Sequence, residues 1–311
     1  MAINFHIPGF THHYNLNRTL LGLMDRYPEA FYEGVRVDSM YGVFPPAIWN
    51  GGRTVGEIFP VKEMQRVVNE INGMGVSLRY TFTNPLVKDE HLLDEHCNNC
   101  LRIADRSDRL NAVIVVSPLL EAFIRDCYPN YRIVSSTCKQ IRDFDLLCEE
   151  LEKDYTLVVL DYNWNNNWEM LEKLPHKERV EILVNPVCAP DCKRRGDHYA
   201  YLARTQIGYV EHLKKEGPYK PYKLTEQFEC PHMGRMIYDT TEFSTHVTPQ
   251  DIYEKYVPMG FSNFKIEGRS ALPINVVECY IYYMVKPEYR DKMRMYFLLS
   301  MYQSGIIGFN D

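Results

Sequence analysis

Hydrophobic and polar positions along the chain fall into two alternating rhythms. Short runs rich in β-branched and aromatic residues occur at Asn4–Ile7, Val35–Ser39, Ser77–Phe82 and Ala112–Val116. They recur at Tyr131–Ser135, Thr156–Asp161, Glu181–Asn185 and Asn263–Glu267. Val113–Val116 and Leu157–Leu160 are unbroken apolar runs, the pattern of strands buried on both faces in a parallel sheet. Between the runs the period lengthens to that of a helix. Val61–Met74 sets Val61, Met64, Val67, Val68 and Ile71 on one face. Leu119–Cys127 and Asp143–Leu151 behave likewise, and Thr248 stands where it would cap a helix opening at Pro249. Eight strands alternating with helices predict an α/β fold, a (β/α)8 TIM-type barrel, as one domain over residues 1–311. The rival is an open doubly wound sheet. The turn after the first strand, Pro8-Gly9-Phe10, lacks the glycine-rich phosphate pattern of that class.

One interval breaks the even spacing. The gap between the seventh and eighth strands is far longer than one helix needs, so residues 188–250 read as an insertion. Long ordered insertions are usually functional, and in a barrel this one falls on the C-terminal face, where active sites gather. It carries Cys188, Cys192 and Cys230, and a basic, aromatic middle from Lys214 to Lys223. Residues 271–311 read as a C-terminal helical layer, with the Tyr and Met residues of Pro273–Ser304 as packing groups.

Composition narrows the classes. Lys and Arg total 35 against 41 Asp and Glu, a net charge of −6, which disfavours strong charge-driven nucleic-acid binding. No long uncharged apolar run is present, which excludes a membrane-spanning helix. The first residues lack the basic flank and apolar stretch of a signal peptide. Nine cysteines, an odd number, in such a chain point to a reducing, cytoplasmic setting rather than a disulfide framework.

The cysteines divide by context. Asn185-Pro186-Val187-Cys188-Ala189-Pro190-Asp191-Cys192 leaves a buried strand in a proline-broken turn, and Cys230 precedes Pro231 and His232. Three thiolates could hold an iron–sulfur cluster, or with His232 a zinc ion. Cys138 follows Ser135-Ser136-Thr137 at the end of the fifth strand and is the candidate fourth ligand. Cys97 and Cys100 lie in a helix expected over His91–Ala104 and read as core residues, as do Cys127, Cys148 and Cys279. Charged and polar residues form a second set. His6, Arg36, Asp38, Arg79, Tyr80, Ser117, Asp161, Asn163, Asn185, Lys265, Glu267 and Arg269 are read as lying at strand C-termini and would line one pocket mouth. Arg36, Arg79, Asp161 and Asn163 are candidates for substrate contact, and Lys265, Glu267 and Arg269 for catalysis. The alternative is a buried structural ion network.

The string Phe264-Lys265-Ile266-Glu267-Gly268-Arg269-Ser270, read with the three insertion cysteines and Ser135-Ser136-Thr137, resembles the peptidase U32 family. That resemblance implies a barrel and, in several members, a 4Fe-4S cluster held by four cysteines. Those members support oxygen-independent hydroxylation of ubiquinone precursors or modification of transfer or ribosomal RNA, and others were named as collagen-directed proteases. Here the cysteine-bearing segment is proline-rich rather than glycine-rich, and the expectation is of a short member without the C-terminal extension of the longer ones. The leading expectation is an iron–sulfur barrel enzyme acting on a small-molecule or nucleobase substrate. The alternatives are a metal-dependent hydrolase or peptidase using Glu267 or His232 as base, and an accessory subunit that docks a protein or RNA through Lys214–Lys223.

Overall fold

The structure is a computed structural model that describes residues 2–51, 58–224, 226–230 and 237–307. Eight parallel strands close into a barrel in sequence order: β1 (Ile3–Pro8), β2 (Val35–Gly42), β3 (Ser77–Phe82), β4 (Ala112–Val115), β5 (Arg132–Ser135), β6 (Leu157–Val159), β7 (Val180–Leu183) and β8 (Asn263–Lys265). Closure comes from β1 pairing with β8, Asn4 opposite Asn263 and His6 opposite Lys265. The predicted (β/α)8 barrel is the observed fold.

The helices are α1 (Tyr14–Arg26), α2 (Val61–Gly73), α3 (Asp89–Leu92), α4 (Glu95–Ile103), α5 (Pro118–Cys127) and α6 (Phe144–Glu152). They continue with α7 (Trp168–Lys173), α8 (Arg195–Glu216), α9 (Pro249–Asp251), α10 (Pro273–Met284) and α11 (Arg290–Gln303). Side-chain caps start several of them, as short polar residues before apolar periodicity should. Ser117 accepts from Leu120 N, Asp143 from Leu146 N, and Thr248 closes a capping box with Asp251.

Three local expectations are corrected. The helix expected over His91–Ala104 breaks at Leu93, which is 82% exposed, because Asp94 accepts a hydrogen bond from Cys97 N and starts α4 afresh. Val61 is exposed rather than on the buried face of α2, since it occupies the first turn, ahead of Met64. Cys127 is exposed at the end of α5 and is no core residue.

Two cores result. The larger lies between barrel and helices and includes Phe5, Leu78, Val113, Ile182, Phe264 and Tyr280. The smaller fills one side of the barrel interior with Tyr41, Ala112, Ile114, Val134, Leu157 and Val159. The other side of the interior is charged. His6, Arg79, Glu181 and Lys265 are all buried there, which is tolerable only because each finds a partner. Among the described residues no helix is long and apolar enough to cross a membrane.

Candidate functional site

The charged side of the interior runs from one mouth of the barrel to the other. At the N-terminal mouth, Arg36 donates to Asn4 Oδ1 at 2.7 Å and reaches Asp38 Oδ1 at 3.3 Å. Asp38 Oδ2 pairs with Arg79 Nη2 at 3.3 Å. Arg79 Nη1 meets Glu181 Oε2 at 2.5 Å, and Glu181 Oε1 meets Lys265 Nζ at 3.3 Å. His6 sits inside this chain, 2.9 Å from Ser39 Oγ through Nδ1 and 3.5 Å from Glu181 Oε2 through Nε2.

Two sequence expectations are thereby revised. Arg36 is the second residue of β2, which runs on to Gly42, so it is half-exposed at the N-terminal mouth and not at the pocket. Arg79 is spent inside the barrel on Glu181 and Asp38. Both belong to the structural ion network that was the alternative reading.

Burial acts against charge on His6 and, with Arg79 nearby, lowers its pKa to about 4 against the pull of Glu181 and Asp38. Burial also opposes charge on Glu181, but His6, Lys265 and Arg79 together outweigh it and hold the carboxyl near 2. The unfolded chain therefore protonates His6 near pH 6.5, whereas the folded chain refuses that proton until about pH 4. Stability is fully present above 6.5 and is lost as pH falls through this window. By about pH 5 the loss reaches about 2 kcal/mol. Urea midpoints between pH 7 and pH 5 should fall accordingly, and His6→Gln should flatten that slope.

Above Lys265 the C-terminal mouth opens into a cavity of about 430 Å³. Strand ends supply its floor and walls, and α8 crosses above it. Lys265, Glu267 and Arg269 all line it, as do Cys138, Cys188 and Cys230. Asn185 fixes the segment after β8 through a reciprocal pair, donating to Glu267 O at 3.0 Å and accepting from Glu267 N at 2.6 Å. Glu267 Oε2 in turn accepts from Val187 N at 3.0 Å, which ties the cysteine-bearing turn to the Lys265–Arg269 string.

Arg269 is held by neutral groups: Nη1 donates to Thr81 Oγ1 at 2.6 Å and to Asn50 Oδ1 at 3.3 Å, and Nη2 to Gly51 O at 3.2 Å. Among the described residues it has no ion-pair partner, and its charge is turned to the pocket. Only glycine fits at position 51, since a Cβ there would stand 2.0 Å from the carbonyl oxygen of Thr83.

The roof is the part missed from sequence. Arg195, His198, Tyr199 and Leu202, at helical spacing i, i+3, i+4 and i+7 on α8, all line the cavity. That spacing is the signal that could have found them. Arg195 is buried, with Nη1 2.7 Å from Asp161 Oδ2, Nη2 donating to Thr137 O at 2.9 Å, and the guanidinium 4.2 Å from the Tyr162 ring centroid. Asp161 is thus a positioning residue for Arg195. Asn163 holds Asp161 Oδ1 at 2.7 Å and accepts from Asp191 N at 2.8 Å. Neither stands on the cavity wall as expected for substrate contact, because each is engaged in fixing α8 and the cysteine-bearing turn.

A second cavity, about 270 Å³, adjoins the first and is lined by Cys188, Cys192 and Cys230. Phe228 brings Cys230 there by stacking on His198, centroids 4.6 Å apart, with Arg194 4.6 Å over the same ring. Burial raises the pKa of Cys188; a Tyr162 hydrogen bond opposes this and the neighbouring Cys192 thiol adds to it. Cys138 lies on the larger cavity only. Among the described residues, no three His, Cys, Asp or Glu side chains stand close enough together to hold a metal ion. His232 lies outside the described residues. Cys97 and Cys100 are fully buried and their pKa values are pushed up by burial, as core thiols should be.

No family model matches the sequence, and no curated protein matches it. The solved structure of the U32 peptidase Mk0906 does match, with a TM-score of 0.50 and 15% identity, covering 86% of this chain and 94% of that one. The fold is U32-like. The likeness read from Lys265-Ile266-Glu267-Gly268-Arg269 thus agrees with the architecture. In this U32-like barrel the string passes from the charged interior, through Lys265, to the pocket wall, through Glu267 and Arg269. The fold alone does not set the chemistry, since one fold hosts many functions.

Proposed function

We propose that the chain is a thiolate–metal barrel enzyme that modifies a small anionic substrate without molecular oxygen. The observation that carries this reading is that Cys188 and Cys230 line both cavities, so a group held in the smaller one would border the larger. The fit lies in donor type and in room. Cys188, Cys192 and Cys230 line one partly open cavity. They stand too far apart to share a single ion, and their soft donors suit a larger iron–sulfur group better than an oxygen-ligated ion. Cys188, Cys192 and Cys230 would hold a 4Fe-4S cluster, with Cys138 as the candidate fourth ligand across the boundary. Such a cluster supplies electron transfer or Lewis-acid activation at the pocket edge.

The rest falls to the chain's own side chains. Arg269 binds and orients the anion, with Thr81 setting the direction of its fork. Lys265 supplies a second positive charge below it, and Glu267, anchored by Val187 N, is placed to accept or return a proton. Tyr41, Tyr162 and Tyr199 give the pocket aromatic walls suited to a ring-bearing small molecule or a nucleobase. Nine free thiols suit a reducing compartment, and we assign the enzyme to the cytoplasm.

Anaerobic purification followed by iron and acid-labile sulfide analysis tests this reading. Bound iron with matching sulfide is the expected result. Zinc in place of iron, with turnover that survives air, would favour a hydrolase working through Glu267. No metal after anaerobic reconstitution would overturn the proposal. An RNA-docking role through Lys214–Lys223 finds little free charge: Lys214 pairs with buried Asp94 at 2.8 Å, and Lys220 with Glu216 at 2.5 Å.

A further inference from the structure

The floor of the larger cavity presents a primary amine. Lys265 ends β8, and its Nζ lies 3.3 Å from Glu181 Oε1 and 4.4 Å from the centroid of the Tyr41 ring. Two guanidinium groups flank it. Arg79 shares the Glu181 carboxylate, and Arg269 lies 5.9 Å from the same Tyr41 centroid. The Tyr41 hydroxyl is fixed by donation to Ile266 O at 2.6 Å, so the ring is a rigid platform beneath both cations.

These are the conditions under which a lysine becomes a nucleophile: removal from water and the company of other positive charges. Burial lowers the pKa of Lys265, Glu181 resists, and Arg79 and Arg269 lower it further, with a net shift downward. The carboxylate beside it provides orientation, and Arg269 keeps its charge for a ligand.

We propose that Lys265 captures a 2-oxo acid as a protonated imine, the carboxylate resting on Arg269 and the adjacent carbonyl carbon on Lys265 Nζ. The ammonium first gives one proton to solvent in the pocket. The freed electron pair forms a C–N bond as the carbonyl π bond opens onto oxygen. A second proton passes from nitrogen to that oxygen, the first is returned to it, and the oxygen leaves as water. A C=N bond bearing one proton remains, and nothing is oxidised or reduced. A 2-oxo acid fits because its carboxylate adjoins its carbonyl, as Arg269 adjoins Lys265 over one ring. The aromatic walls favour a ring on the far side of the carbonyl.

This inference rests on the larger cavity being the substrate pocket, and involves no thiol and no metal. Its test is reductive trapping. The full chain is incubated with pyruvate, and separately with phenylpyruvate, in the presence of cyanoborohydride, then digested and mapped by mass spectrometry. A secondary-amine adduct at Lys265 that saturates with probe concentration is expected. It should be lost in Lys265→Arg, weakened in Arg269→Met, and unchanged by removal of metal. Label confined to exposed lysines such as Lys215, 83% exposed, and rising linearly with probe would overturn the proposal, as would no label at all. The map of the unaltered chain decides the matter even if a variant fails to fold. An iron-free protein that still forms the adduct would remove the metal reading alone, and an iron-loaded protein that forms none would remove the imine alone.

Discussion

Replacing Glu181 with alanine is expected to cost about 3–5 kcal/mol of folding stability, the range for breaking a buried charge pair by deleting one partner. Glu181 is fully buried and is the common partner of Arg79 Nη1 and Lys265 Nζ. Its removal leaves two cations in the barrel interior, of which Arg79 alone keeps a second carboxylate, Asp38. A domain's whole stability is about 5–15 kcal/mol, so such a loss consumes much of the margin. Denaturant unfolding of Glu181→Ala against the unaltered chain measures it. Arg36→Ala is the contrast: that side chain is exposed at the opposite mouth, and its loss should fall within about 0.5 kcal/mol. A Glu181→Ala loss no larger than that would mean the interior charges are solvated in a way the packing does not suggest.

Cys188→Ser should abolish iron and sulfide binding while leaving the apo-protein's unfolding midpoint nearly unchanged. Serine is close in size to cysteine but is a hard donor that does not replace a thiolate on iron. Cys188 lines both cavities and sits beside Tyr162 and Cys192, so its thiol is the one that would join the metal group to the larger pocket. Cys127→Ser, on an exposed cysteine at the end of α5, is the matched control and should load metal normally. Cys138→Ser then separates two cases. A loss as complete as that of Cys188→Ser makes Cys138 the fourth ligand, and full retention confines the site to the insertion. Iron bound undiminished by Cys188→Ser would dismiss the cysteine assignment.

The barrel was legible because its strands are buried on both faces and so appear as dense apolar runs that no amphipathic pattern obscures. All eight lie where those runs fall. Lys265, Glu267 and Arg269 were legible for a related reason: charges inside a buried strand stand out against it. The mistake lay in ignoring position along the strand. Arg36 and Lys265 both read as strand charges, yet the first stands at the start of β2 and the second near the end of the run that becomes β8. Because all eight strands run parallel, position within the run alone separates the two mouths, and Arg36 was assigned to the wrong one. Asp161 and Asn163 were found at the right mouth but with the wrong occupation, because their partner Arg195 lies on α8. That helix escaped notice because polar and apolar residues are mixed all round it. It is held by the buried Arg195 at its start and by a short inward stretch further along, where Ala203 and Val210 are buried and Ile207 partly so.

The roof made by α8 has a bearing on how this protein can diversify. The floor of the pocket cannot drift, because the carboxylate that steadies Lys265 is also the one that keeps the barrel folded. The roof touches that network nowhere. It is fastened by Arg195 to Asp161 and by the Asn84 amide to Ala203 O at 3.5 Å, and between those rivets His198, Tyr199 and Leu202 face the cavity with no part in closing the sheet. Selectivity and foldability are therefore written on separate stretches of sequence. Descendants of this chain could exchange what they admit by rewriting a single helix while inheriting the same reactive floor.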